Sequence, residues 1–112
     1  MARIFKAPLS GYASEAVRLL GQRIRMARIE RKLTAEELAE RAGISRGLVQ
    51  RIEQGSPGCS IGAVFEAATI VGVPLFEPDR DRLASTARET SHTLSLLPKS
   101  VRPGRVELKD DF

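Results

Sequence analysis

The sequence contains no tryptophan, one cysteine, one histidine, four phenylalanines and one tyrosine among its 112 residues. A lone cysteine, Cys59, cannot close an intramolecular disulfide, and with His92 alone beside it no four-ligand zinc site can form, so neither a metal nor a cofactor is expected. Long apolar runs are missing too: the stretch Ile70 to Phe76 is far too short to span a bilayer and is broken by Gly72 and Pro74. Arg3 and Lys6 interrupt the few apolar residues ahead of Pro8, which argues against a secretory signal. The expected location is the cytoplasm, in association with the nucleoid, with no membrane partner. What is present is ordinary globular composition, 42% hydrophobic and 29% charged, at a length that supports one modest core and argues against a two-domain enzyme. With aromatics scarce, that core should be aliphatic and packed between helices.

The net charge of +4 is unevenly distributed. Residues 1–33 carry eight basic side chains against Glu15 and Glu30, which leaves +6 in that third; residues 34–58 carry −1, residues 59–91 carry −2 and the last 21 carry +1. A polyanion is therefore a plausible partner, with the N-terminal third facing it, although a solvated helix face accounts for the charge equally well.

Helical signals follow one another along the chain. Residues 1–13 show Pro8, Ser10 and Gly11 without helical period and read as a loose basic arm. From Ser14, an N-cap, apolar residues recur at Val17, Leu20, Ile24 and Ala27, with Arg18 and Arg25 on the opposite face and Arg23 nearby; Arg23 and Arg25 are candidate phosphate contacts, with a solvated face as the competing reading. Thr34 with Glu37 makes a capping box for a second helix that stops at Gly43. Ser45 caps a third helix ending at Gly55, and Ser60 caps a fourth with Ile61, Val64, Phe65, Ala68 and Val71 on its core side, ending at Gly72. Asp79 opens a fifth, expected to run to Leu97 with a Leu83, Ala87, Thr90, Leu94, Leu97 seam and to stop at Pro98. Beyond it, Val106-Glu107-Leu108 alternates like a short strand. The expected organisation is a basic arm over 1–13, a DNA-binding domain over 14–77, an extended and dimerising helix over 78–98, and a short, β-forming tail over 99–112.

The second and third helices carry the most specific signal. Two short capped helices separated by Gly43-Ile44 match the helix-turn-helix plan. Winding the third helix at about 100° per residue puts Arg46, Gln50, Gln54, Gly47 and Arg51 within an arc of about 140°, with Leu48, Val49 and Ile52 on the other side. That arc holds no acid, which suits a helix lying in a major groove, where arginine reads guanine edges and glutamine reads adenine. The competing reading is an ordinary amphipathic helix. Glu53, an acid at a helix C-terminus, opposes the dipole and calls for a basic partner, for which Arg28 on the first helix is the candidate.

At Leu20-Gly21-Gln22-Arg23-Ile24-Arg25, at Leu33 through Arg46 and at Arg51-Ile52-Glu53-Gln54-Gly55 the chain resembles the XRE, or lambda-repressor-like, helix-turn-helix family. The resemblance covers roughly residues 15–76. It implies an all-α, five-helix, lambda-repressor-like domain that binds double-stranded operator DNA as a homodimer. By position, Arg46, Gly47, Gln50 and Arg51 would sit at bases and nearby phosphates, and Thr34, Ser45 and Gln54 at the DNA backbone. Two positions depart from that family: Ala35 stands where glutamine is usual, and Gly47 where a hydroxyl or longer side chain is frequent, so readout should lean on Arg46 and Gln50. The long fifth helix, the Leu-Pro-Lys-x-Val segment and the Asp-Asp-containing end further resemble HipB-like antitoxins. That likeness implies an antitoxin of a type II toxin-antitoxin operon that neutralises a HipA-like kinase toxin and represses its own operon.

The alternative is a stand-alone XRE-family transcriptional regulator. An enzyme is not expected, because the sequence offers no Ser/His/Asp order, no phosphate-binding glycine loop and no paired acids in a cleft-like context. His92 reads as a surface residue, and Cys59, just ahead of a helix start, is expected to have a lowered pKa with no further sign of redox or nucleophilic work.

Overall fold

A computed structural model describes residues 9–103 of the chain. Five helices follow in order: α1 (Gly11–Glu30), α2 (Ala35–Ala42), α3 (Arg46–Glu53), α4 (Ile61–Val71) and α5 (Arg80–Ser95), with no strand among the described residues. The expected strand at Val106-Glu107-Leu108 lies outside the described residues, as does the arm over residues 1–8. The chain divides into two compact units, Met1–Leu75 and Phe76–Phe112.

In the first unit α1 starts earlier than its apolar period suggests. Ser10, not Ser14, is the N-cap, accepting a hydrogen bond from the Ala13 N–H at 3.3 Å. Residues 11–13 therefore belong to the helix rather than to a loose arm. The next three starts follow the sequence: Thr34 accepts from Glu37 N–H at 3.0 Å while Glu37 accepts from Thr34 N–H at 2.8 Å, Ser45 accepts from Leu48 N–H at 3.1 Å, and Ser60 accepts from Ala63 N–H at 3.4 Å. The four helices also end alike. A residue in left-handed backbone closes each one, and the N–H that follows reaches back to a carbonyl five residues earlier: Leu33 to Arg28, Ile44 to Ala39, Ser56 to Arg51 and Val73 to Ala68. Glycine supplies three of these turns, and Lys32, with φ 58°, supplies the one that sequence patterning does not flag.

α2 packs on α3 and α4, and α1 packs on α3 and α4. The core between them is aliphatic, with Ile24, Leu38, Val49 and Val71 as its largest fully buried side chains, joined by Ala39, Ile52, Ala67 and Ala68. On α4 the buried stripe is rotated toward Ala67. Ile61, expected in the core, is 70% exposed: it shares the phase of Ala68 but is the first residue of the helix, two turns from the buried Ala67, Ala68 and Val71.

In the second unit Asp79 caps α5 by accepting from Asp81 N–H at 3.0 Å. The helix is 16 residues long and stops at Ser95, with Leu96 as its C-cap. It ends short of the expected Leu97 because a residue before proline is disfavoured in helical backbone. No α5 residue is buried, and the seam residues Leu83, Leu94 and Leu97 are all exposed.

Candidate nucleic-acid interface

The bend that orients α3 is built from three consecutive residues. Gly43, at φ 72°, reverses the chain, Ile44 packs against the core, and Ser45 caps the next helix. The buried side of α3 is Val49 and Ile52, with Leu48 partly covered, while Arg46, Gln50, Arg51 and Gln54 are exposed and Gly47 is half-buried. The two faces separate as the helical phase requires. The exposed side of α3 carries two guanidinium groups and two amides, all hydrogen-bond donors suited to base edges and phosphates.

Two close approaches and one ion pair fix α3 against α1. Gly21 is buried, and a Cβ there would run into the main-chain oxygen of Ile52. A Cβ at Gly55 would meet Arg18 Cα at 2.9 Å. The ion pair is the one expected from the sequence: Arg28 Nε donates to Glu53 Oε2 at 2.7 Å, and a terminal guanidinium nitrogen of Arg28 donates to Glu53 Oε1 at 3.0 Å. Its other terminal nitrogen donates to the Leu33 carbonyl at 2.9 Å. The side chains are only 12% and 7% exposed. The hydrogen bond to Glu53 holds the Arg28 guanidinium charged, raising its pKa further against the opposing effect of burial.

The remaining candidate positions lie at helix starts. Thr34 and Ser45 are exposed, and each uses its hydroxyl oxygen as an acceptor for a backbone N–H. Their hydroxyl hydrogens are left to donate, which is what a phosphate oxygen requires. Gly47 lies beneath a neighbour: a Cβ there would sit 3.7 Å from a terminal nitrogen of Arg51, an ordinary contact. Gly47→Ala is therefore expected to raise the melting temperature, since alanine favours a helix over glycine by about 1 kcal/mol. Calorimetry checks the gain, and a parallel duplex-binding titration checks whether close backbone approach needs the glycine.

Of the two α1 arginines weighed as phosphate contacts, Arg25 borders this surface. It shares a shallow depression with Ala35, Gln50 and Gln54. The expectation for Cys59 is reversed, because burial pushes its thiol pKa up and the nearby Arg51 charge only partly offsets this. Among the described residues no helix is long and apolar enough to cross a membrane.

A family model described as a helix-turn-helix domain matches residues 19–83, more than half of the chain. No curated protein matches the chain. With α2, the Gly43 turn and α3 inside the matched span, the chain belongs to the helix-turn-helix domain family, of the XRE-like kind, and is a DNA-binding regulator.

Proposed function

We propose that the chain is a sequence-specific transcriptional repressor that binds a palindromic operator as a homodimer. The observation that carries this reading is the exposed side of α3, where Arg46, Gln50, Arg51 and Gln54 stand opposite the buried Val49 and Ile52. Arg46 and Gln50 read bases, Arg51 serves bases and the adjoining phosphates, and Thr34, Ser45 and Gln54 hold the backbone. Gly47 lets the helix approach closely. The role is binding rather than catalysis.

The biological setting we propose is a type II toxin-antitoxin operon, in which the chain neutralises a HipA-like kinase toxin and represses its own transcription. Its support is α5, which buries none of its residues and continues into the exposed segment Leu96-Leu97-Pro98-Lys99. An apolar seam so placed offers a surface to a second copy and to a protein partner. Two measurements test this. Leu83→Glu with Leu94→Glu should convert a dimer to a monomer in light scattering, and a dimer of unchanged mass would remove α5 from the interface. Purification from the native host should bring down a kinase-like protein in stoichiometric amount. Its reproducible absence would favour a stand-alone XRE-family regulator.

A further inference from the structure

Three large apolar side chains on α1 lie outside the core in a regular order. Tyr12, Leu19 and Met26 are 88%, 47% and 59% exposed, and they stand seven residues apart. At about 100° per residue each step of seven turns by only about 20°, so the three form one stripe about 21 Å long. Between Tyr12 and Leu19 the stripe carries a depression of about 340 Å³, lined also by Glu15, Ala16, Arg18 and Gln22. Leu19 and Arg25 are six residues apart, which turns the stripe about 120° from the edge of α1 that borders the exposed side of α3. The stripe therefore stays open when that side is on DNA.

The charges beside the stripe match a second copy of it. Glu15 and Arg23 stand four residues before and four after Leu19, about 40° to either side of it. Arg23 makes no ion pair among the described residues, and Glu15 has a single 3.5 Å contact with Arg18 in which both side chains are more than half exposed. A surface pair of that kind holds Glu15 weakly. When a second α1 runs antiparallel about a two-fold axis at Leu19, each position meets the one equally far on the other side of Leu19. Leu19 then meets its own copy, and Arg23 comes level with the partner's Glu15, twice by symmetry. Met26 meets the partner's Tyr12 beside the depression, where a thioether against a ring is favourable. An in-register parallel pairing would instead set like charges against each other. Charge thus selects the antiparallel arrangement.

We infer that this stripe is a second self-association surface, paired antiparallel about Leu19 with the stripe of another copy of the chain, so that it joins neighbouring DNA-bound dimers. The inference rests on the reading of a homodimer on a palindromic operator, and it adds a contact distinct from the one proposed for α5. A stripe about 21 Å long and about 10 Å wide buries roughly 400 Å² over both copies, well under the about 1,200 Å² of a stable interface. It acts where copies are already held close, as on adjacent sites of one duplex, where effective concentrations reach the millimolar range. Symmetry agrees, because two palindromic sites on one duplex are related by a two-fold axis midway between them, the operation that the antiparallel pairing uses.

The test is titration of the full chain onto a duplex with one selected site and onto duplexes with two such sites at stepped spacings. The second site should fill about tenfold more tightly than the first at favourable spacings, which recur about every 10 bp, and the gain should vanish at half-turn offsets. Leu19→Glu should abolish the gain and keep single-site binding. Arg23→Glu and Glu15→Arg should each reduce it, and the two together should restore it, since reversing both charges recreates opposite pairs. No gain at any spacing across a full turn, a gain that survives Leu19→Glu, or a double variant as poor as either single one would overturn the inference. If the chain does not bind the single-site duplex, the DNA-binding reading fails separately, and sedimentation equilibrium at about 1 mM chain decides the surface by itself. The parent should there show one further doubling of mass that Leu19→Glu lacks, and equal masses would overturn the inference.

Discussion

Arg28→Ala should destabilise the first unit by about 3 kcal/mol or more, the cost of leaving a buried carboxylate without its partner. Glu53 is 7% exposed and takes two hydrogen bonds from Arg28, so the substitution strands both oxygens at once. It also frees the Leu33 carbonyl that Arg28 holds just before the α2 cap. Domains of this size have total stabilities of roughly 5–15 kcal/mol, so a large part of the margin goes. The paired replacement Arg28→Met with Glu53→Leu should recover most of it, because apolar side chains of similar volume commonly replace a buried pair without loss. Urea denaturation of the single and double variants checks both statements. A single variant within about 0.5 kcal/mol of the parent would mean that the pair is effectively solvated. Since the pair ties the end of α3 to α1, DNA affinity should fall with stability in the single variant and return in the double.

Much of this architecture is legible in local sequence because its determinants are local. A capping residue marks the starts of α2, α3, α4 and α5, joined at α2 by Glu37 three positions on, and glycines mark the ends of three helices. The Arg28–Glu53 pair was accessible for a different reason: an acid opposing a helix dipole implies a cation somewhere, and one helix face offers it. Lys32 is less visible, since nothing in a lysine announces left-handed backbone; the turn is imposed by the hydrogen bonds from Lys32 and Leu33 back to α1. Ser10 is hard to read as a cap because Pro8 and Gly11 around it are turn-forming residues in sequence, although glycine is tolerated in the first turn of a helix. Gly21 and the setting of Arg25 depend on how α1 lies against α2 and α3. Tertiary distances of that kind leave no periodic trace. Periodicity recovers which way a helix faces, and packing decides which of its polar residues share a surface with another element.

Arg46→Ala should cost about 1–3 kcal/mol of discrimination between the preferred site and other sequences, the worth of one good bidentate base contact, with a smaller loss on unrelated DNA. Gln50→Ala should do the same at a different base pair, since the two side chains stand one helical turn apart on α3. Their segment, residues 34–58, has a net charge of −1, whereas residues 1–33 carry +6. On the proposed function, the N-terminal third supplies attraction to DNA, and the side chains of α3 supply the choice among sequences. Charge-removing substitutions on α1 should weaken binding without altering preference, and substitutions on the exposed side of α3 should alter preference.

The most direct test is selection of duplexes from a random pool by the full chain, sequenced alongside parallel selections with Arg46→Ala, Gln50→Ala and Arg23→Gln. The expected result is a palindromic motif for the parent chain, kept by Arg23→Gln and degraded at two different positions of each half-site by Arg46→Ala and Gln50→Ala. A pool with no enriched sequence, or one motif unchanged across all four proteins, would contradict the assignment of α3 as the reading helix.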